Sequence, residues 1–191
     1  MRPNYRGVFL GILALVIGGM LLFCGQMFFL KKAYPIEYHE YVQESAEKFD
    51  VEQALIFAVI KCESNFRQEA QSNVGAIGLM QVMPDTFDWL QSHKLMPYMD
   101  VGSLKNPQTN IEYGTYLLSL LQRKYGTLVE TICAYNAGFG AVDKWLKDER
   151  YSSDGKTLKN IPYKATALYV KNVLQSRKMY KNLYFKNVPI Y

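Results

Sequence analysis

The chain has 191 residues, 49% hydrophobic and 20% charged, proportions that exclude a disordered chain and suit one folded domain with a small additional element. Its net charge of +5 is deceptive: Arg2 and Arg6 precede the first apolar run and all 17 acidic residues follow it, leaving the rest close to neutral. No basic stripe is present for a nucleic-acid partner, whereas 15 tyrosines suit a neutral polymer with apolar faces.

Residues 8–30, VFLGILALVIGGMLLFCGQMFFL, carry no charge and are long enough to cross a bilayer as a helix. A cleaved signal peptide would have a shorter apolar core and a small-residue exit, but this run ends in MFFLKK. An acylated Cys24 would follow a small residue, and Phe23 stands there. The segment is therefore expected to be a transmembrane anchor behind a short tail, residues 1–7. Arg2 and Arg6 on one side nearly balance Lys31 and Lys32 on the other, so charge leaves the orientation open.

Pro35 separates the anchor from IEYHEYVQESAEKF, expected as a short helix within a juxtamembrane segment, residues 31–49. Asp50 with Gln53 three residues on has the form of a capping box and is expected to open the next helix. There Ala54, Leu55, Ala58, Val59 and Cys62 recur at three- and four-residue steps, an apolar stripe for a core. Glu63 stands where the stripe ends. The loop SNVGAIG follows, with Gly75 and Gly78 for backbone shapes that other residues resist.

Met83-Pro84 leads into a helix over DTFDWLQSH, Pro84 suiting the first helical position. Asn106-Pro107 starts another, which keeps helical spacing through Ile111, Gly114, Leu117 or Leu118, and Leu121, and stops at Gly126. LVETICAYNAG is expected as a helix closed by Gly138 and Gly140, followed by AVDKWLKDER and a polar hairpin, YSSDGKTLKN. IPYKATALYVKNVLQSRKMY is the last long helix. With little strand-type alternation, the expected fold class is all-α, with six to eight helices.

Cys24, Cys62 and Cys133 make no disulfide framework; Cys62 and Cys133 either approach one another or are small buried apolar residues. His39 and His93 fall outside any H-E-x-x-H or C-x-x-C pattern, so neither a metal site nor a cofactor is expected.

Three short motifs stand in order: Glu63-Ser64, then Gly78-Leu79-Met80-Gln81, then Ala134-Tyr135-Asn136-Ala137-Gly138, with NPQTNIEYGTYL between the second and third. Each is weak alone, but their order and spacing are specific. From about Asp50 to about Leu174 the chain resembles the lytic transglycosylase family of the soluble-lytic-transglycosylase type, related to goose-type lysozyme. The resemblance implies a lysozyme-like helical domain, residues 50–180, with a groove for peptidoglycan glycan strands, ahead of a C-terminal tail, residues 181–191. It implies Glu63 as the catalytic acid and Ser64 as its usual neighbour. Gly78, Met80 and Gln81 would line the groove, and Tyr135 and Asn136 would border the sugar at the cleavage point. Thr166 and Tyr169 match a final motif, Glu-Thr-x-x-Tyr-Val in the family, whose acid is replaced here by Ala165.

The implied reaction cleaves the MurNAc-GlcNAc β-1,4 bond and closes a 1,6-anhydro ring. Ordinary glycosidases pair two carboxylates, but a substrate whose own N-acetyl group assists can be cut with one. Such an acid must stay partly protonated near neutral pH, which an apolar setting provides. The substrate side also fixes the orientation: a single pass through the cytoplasmic membrane with the domain outside, for wall remodelling or for work within an envelope-spanning complex. Two other readings keep the same residues: a lysozyme-like hydrolase delivering water, and a non-catalytic glycan-binding scaffold. Taken from the residues alone, Ser64 also reads as a local hydrogen-bonder, Gln81 as a loop clamp, Tyr135 as packing with its hydroxyl satisfied and Asn136 as a helix cap.

Overall fold

A computed structural model describes residues 5–93 and 95–186. Residues 1–4 of the expected N-terminal tail and 187–191 of the expected C-terminal tail lie outside the described residues. The chain divides into two units, one up to Pro35 and one from Ile36 onward.

The first unit is one helix, α1 (Tyr5–Ala33), with no acidic residue in its first turn and Lys31 and Lys32 in its last. It extends past both ends of the uncharged run and stops short of Pro35, since the residue ahead of a proline is driven out of helical geometry. Leu15, Leu22 and Phe29 are among its exposed apolar side chains. The stretch Phe9–Ala33 is long and apolar enough to cross a membrane. A helix of this length that is apolar all round has the character of a membrane span.

The second unit is helical. Its elements are α2 (His39–Phe49), α3 (Gln53–Glu63), α4 (Pro84–Gln91), a 3-10 helix (Val101–Lys105), α5 (Pro107–Tyr125), α6 (Leu128–Ala137), α7 (Phe139–Leu146) and α8 (Lys164–Tyr184). Seven α-helices among the described residues fall within the expected six to eight. The only β-type pairing there is two isolated bridges, Gln71 with Ile77 and Ile77 with Val82, which fold the loop between α3 and α4 back on itself.

Most starts and stops fall where the residues placed them. Pro84 opens α4, Asn106 caps α5 by accepting from the Thr109 N–H at 3.2 Å, and Gly126 ends α5 in the left-handed region at φ 69°. Three expectations are corrected. Asp50 does not open α3: it ends α2 at φ 55°, its N–H bonded to the Ala46 carbonyl, and buried Val51 intervenes before the helix. The α3 N-cap is Glu52, whose carboxylate turns instead to Arg177 and, at 2.9 Å, Lys181 on α8. Gly140 lies inside α7 and closes nothing, because α6 and α7 share Gly138 as their joint.

The third correction concerns the core. Rather than burying one stripe, α3 is buried at every position from Ala54 to Ile60. It is the central rod of the unit, packed mainly against α8 and α2, while α5 joins α2 to α6. Phe57 sits in an aromatic stack with Tyr180 at 5.4 Å, Phe185 at 6.1 Å and His39 at 6.2 Å between ring centroids. On the other side Phe87 meets Tyr113 at 4.4 Å. A rod closed on all sides has one way to bring a polar group into play, which is at its end. Glu63 is that end.

Candidate active site

α3 stops at Glu63 because the next residues bind its last carbonyls and reverse the chain. The Ser64 N–H and hydroxyl both bond to the Ile60 carbonyl, at 3.0 and 3.1 Å. Asn65 and Phe66 then take left-handed backbone, φ 51° and 65°, which disfavours residues with a Cβ. Two contacts offset that cost: Phe66 is buried 6.4 Å from the Phe57 ring, and the Asn65 side chain accepts from Lys61 at 3.1 Å. Ser64 is thus 2% exposed and committed to the helix end.

The loop carrying the second motif is built around an amide that the sequence alone did not single out. Asn110, in the first turns of α5, is 1% exposed. Its amide donates to the Ile77 and Leu104 carbonyls, both at 2.8 Å, and accepts from the Met80 N–H at 2.7 Å. Gly78 sits against this amide at φ 79°, where an added Cβ would stand 2.6 Å from the Leu104 carbonyl oxygen and closer still to Asn110. Only glycine fits. Gln81, itself at φ 49°, donates from its amide to the Ala70 and Gly78 carbonyls at 3.1 and 2.9 Å, so it clamps the loop. The Met80 side chain is fully buried against Gly114, where a Cβ would come within 2.6 Å of its sulfur. What Met80 offers the site is its carbonyl.

That carbonyl accepts from the Tyr135 hydroxyl at 2.8 Å, which ties the second motif to the third on α6. From α8, Tyr169 donates to Oε1 of Glu63 at 2.6 Å. Burial drives the Glu63 carboxyl up to about 7, against a weaker downward pull from the Tyr169 hydrogen bond. No second carboxylate contributes to that shift. Burial, and then the Glu63 charge, push the Tyr135 and Tyr169 hydroxyls well above their ordinary value, so both remain donors at any physiological pH. Chemically, this is one acid near half-ionisation at neutral pH, with a phenol on one of its oxygens.

Of the sequence-derived residues, Glu63, Tyr135 and Tyr169 converge, and Gly78 and Gln81 shape the adjoining loop. Ser64, Met80 and Thr166 are buried. Asn136 is exposed in the last turn of α6, one residue beyond Tyr135, and caps no helix. Ala165 is exposed in the first turn of α8, at the position of the missing acid. Cys62 and Cys133 are both free; Cys62 lies 3.8 Å from the Ser176 hydroxyl. No group of three or more His, Cys, Asp or Glu able to hold a metal occurs among the described residues. A cavity of about 720 Å³ lined by Gln53, Gln122, Arg177 and Phe185 lies at the opposite, N-terminal end of α3 and takes no part in this constellation.

The model of the Transglycosylase SLT domain family matches residues 40–158, and the chain belongs to that family. It is 32% identical over 155 residues to the soluble lytic murein transglycosylase of Escherichia coli K12, covering 80% of this chain and 24% of that protein. It is 34% identical over 127 residues to membrane-bound lytic murein transglycosylase C of Haemophilus ducreyi, covering 61% of this chain and 35% of that one. Among solved structures, an inactive mutant of the lytic transglycosylase Slt of Pseudomonas aeruginosa superposes with a TM-score of 0.72 at 33% identity, covering 80% of this chain and 25% of that one. The 70 kDa soluble lytic transglycosylase of Escherichia coli gives the same TM-score at 30% identity. The all-α fold expected from the sequence is therefore that of a solved family. The chain spans about a quarter of the length of the soluble lytic transglycosylases that it matches.

Proposed function

We propose that this chain is a membrane-anchored peptidoglycan lytic transglycosylase, with Glu63 as its single acid and base. The observation that carries the reading is the Glu63 carboxyl at the end of a buried rod, held near 7 by burial with no second carboxylate acting on it. In the reaction, protonated Glu63 gives its proton to the oxygen linking MurNAc to GlcNAc, and that C–O bond breaks. The sugar's acetamido oxygen stabilises the cationic anomeric carbon. Ionised Glu63 then takes the proton of the C6 hydroxyl, whose oxygen closes the 1,6-anhydro ring, and the acid is regenerated with no water consumed.

Tyr169 orients the carboxyl and supports its charged form between the two transfers, and Tyr135 holds the Met80 loop beside it. Gly78 and Gln81 keep that loop in shape, with Ser64, Met80 and Thr166 behind it, and exposed Asn136 borders the sugar. The anchor is residues 8–30, with 31–49 as connection and 50–180 as the catalytic part. The names of the relatives, one of them membrane-bound, support the substrate and the attachment. The domain stands outside the cytoplasmic membrane, where its substrate is, and works in wall remodelling.

The test incubates the full chain in detergent, native and Glu63→Gln, with purified peptidoglycan, and reads the released muropeptides by mass spectrometry. Products lighter by one water than hydrolytic ones, absent with the variant, are expected. Reducing ends would instead make it a lysozyme-like hydrolase, and binding without release a glycan-binding scaffold.

A further inference from the structure

Two large aromatic side chains stay exposed just beyond the motif-bearing segments. Trp89, in the last turn of α4, is 38% exposed, and Phe139, the first residue of α7, is 44% exposed. Their ring centroids are 5.7 Å apart at an interplanar angle of 33°, a tilted contact that leaves part of each ring open to solvent.

Both residues are flanked by polar neighbours. The Phe139 carbonyl accepts from the Tyr125 hydroxyl at 3.1 Å, and the same hydroxyl donates to Asp143 at 2.8 Å. Lys124 reaches over the Phe139 ring, its Nζ 5.3 Å from the centroid, and pairs with Asp143 at 2.6 Å. His93 stands edge-on to Trp89 at 4.6 Å, its Nδ1 3.0 Å from the Trp89 carbonyl. Exposed aromatic rings cost solvation, and holding them rigidly in the open has a use when a ligand covers them.

Their position says which ligand. Trp89 lies on the helix that leaves the Gly78–Gln81 loop, and Phe139 follows Tyr135 across the Gly138 joint. The Tyr135 hydroxyl joins those two segments at the Met80 carbonyl, beside Glu63. The Trp89–Phe139 contact joins the same two segments a second time, further along. A chain molecule lying across the first junction continues onto the second. The exposed parts of the two rings, with Lys124 paired to Asp143 beside them, fit the C–H face of a pyranose ring.

We propose that Trp89 and Phe139 form a stacking platform for a sugar ring of a β-1,4-linked glycan, away from the bond that is cut. The platform rests on the proposed glycan-cleaving function and adds a residue-level determinant of strand length to it. Short fragments that end at the cleavage point leave it empty, whereas longer strands cover it.

The reporter is built in. The chain has two tryptophans, and Trp145 is buried at 7% exposure, so Trp89 is the one that solvent reaches. The full chain in detergent, carrying Glu63→Gln to stop turnover, is titrated with the β-1,4-linked N-acetylglucosamine hexamer and with uncrosslinked glycan strands. Tryptophan emission and acrylamide quenching are followed, and affinity is measured independently by calorimetry. Glycan is expected to shift the emission and protect the indole, and the shift should vanish in Trp89→Phe. Trp89→Ala or Phe139→Ala should weaken strand binding by about tenfold, the scale of truncating one aromatic anchor. With Glu63 restored, the same changes should raise KM for long strands more than they lower kcat.

Unchanged strand affinity in both alanine variants, with anhydro products still formed by the native chain, overturns the platform alone and leaves the two rings to a protein contact. No glycan binding and no wall cleavage by the native chain overturns the proposed function, and the platform with it.

Discussion

Glu63 illustrates how one carboxyl can serve as acid and then as base. Its proton is held by burial, and its anion by one phenol, Tyr169, at 2.6 Å. These act in opposite directions, with burial the larger. A carboxyl poised at about 7 is half-protonated in a neutral medium, so neither transfer requires a large climb. Since the free enzyme must carry the proton, kcat/KM should fall as pH rises through about 7. Tyr169→Phe removes the pull toward the anion and keeps the ring, so the Glu63 carboxyl should move further up and the alkaline limb should shift to higher pH, with a lower maximal rate. A pH–rate profile of both forms on purified peptidoglycan checks this, and a limb that stays in place would show that Tyr169 does not act on the acid.

At the scale of elements, the site depends on a loop that has no regular structure of its own. Between α3 and α4 the chain makes two isolated bridges, and its order comes from Gln81 within and Asn110 beneath. Asn110 satisfies two carbonyls and one N–H, and since the Ile77 carbonyl also accepts from the Val82 N–H, its removal leaves the buried Leu104 carbonyl and Met80 N–H unpaired. Asn110→Ala should lower stability by about 2–4 kcal/mol, at roughly 1–3 kcal/mol for a buried group left unsatisfied and partial relaxation of the rest. It should also cost activity by releasing the Met80 carbonyl that receives Tyr135. Urea unfolding reads the first and turnover the second. A variant of native stability would mean that water takes over the two lost bonds. The sequence placed Asn110 inside a quoted segment without a role, because a buried asparagine and an exposed one look alike until the loop it supports is folded against it.

For the whole molecule, the apolar α1 and the helical unit are separate physical objects. One is apolar on its entire circumference; the other keeps its apolar residues inside and its ion pairs, such as Lys48 with Glu112 at 2.6 Å, on its surface. Cleavage of a wall polymer requires the helical unit on the outer side of the membrane. A reporter fused after Tyr191 that works only outside the cytoplasm should therefore be active, and its cytoplasmic counterpart silent. The reverse result would remove the substrate from reach and the proposed function with it. The balance of Arg2 and Arg6 against Lys31 and Lys32 makes this measurement necessary, because charge does not choose a side.

The sequence by itself determined what is local. The long apolar run of α1, Pro84 and Pro107 at helix starts and Gly126 at a helix end follow from neighbours a few residues apart, and these elements are found where expected. Tertiary structure decided whatever depends on the far side of a contact. Asp50 and Gln53 had the pattern of a capping box, yet α8 brought Arg177 and Lys181 to Glu52 and the helix began later. A stripe on α3 became a fully buried rod because α2 and α8 enclose it. Tyr169 reached Glu63 from 106 residues away, and the pairing of Trp89 with Phe139 came from two helices joined only through the fold. Periodicity records which face of a helix is apolar, but the partner that covers that face, and so the burial that sets the Glu63 carboxyl, is chosen by the packing of the whole chain.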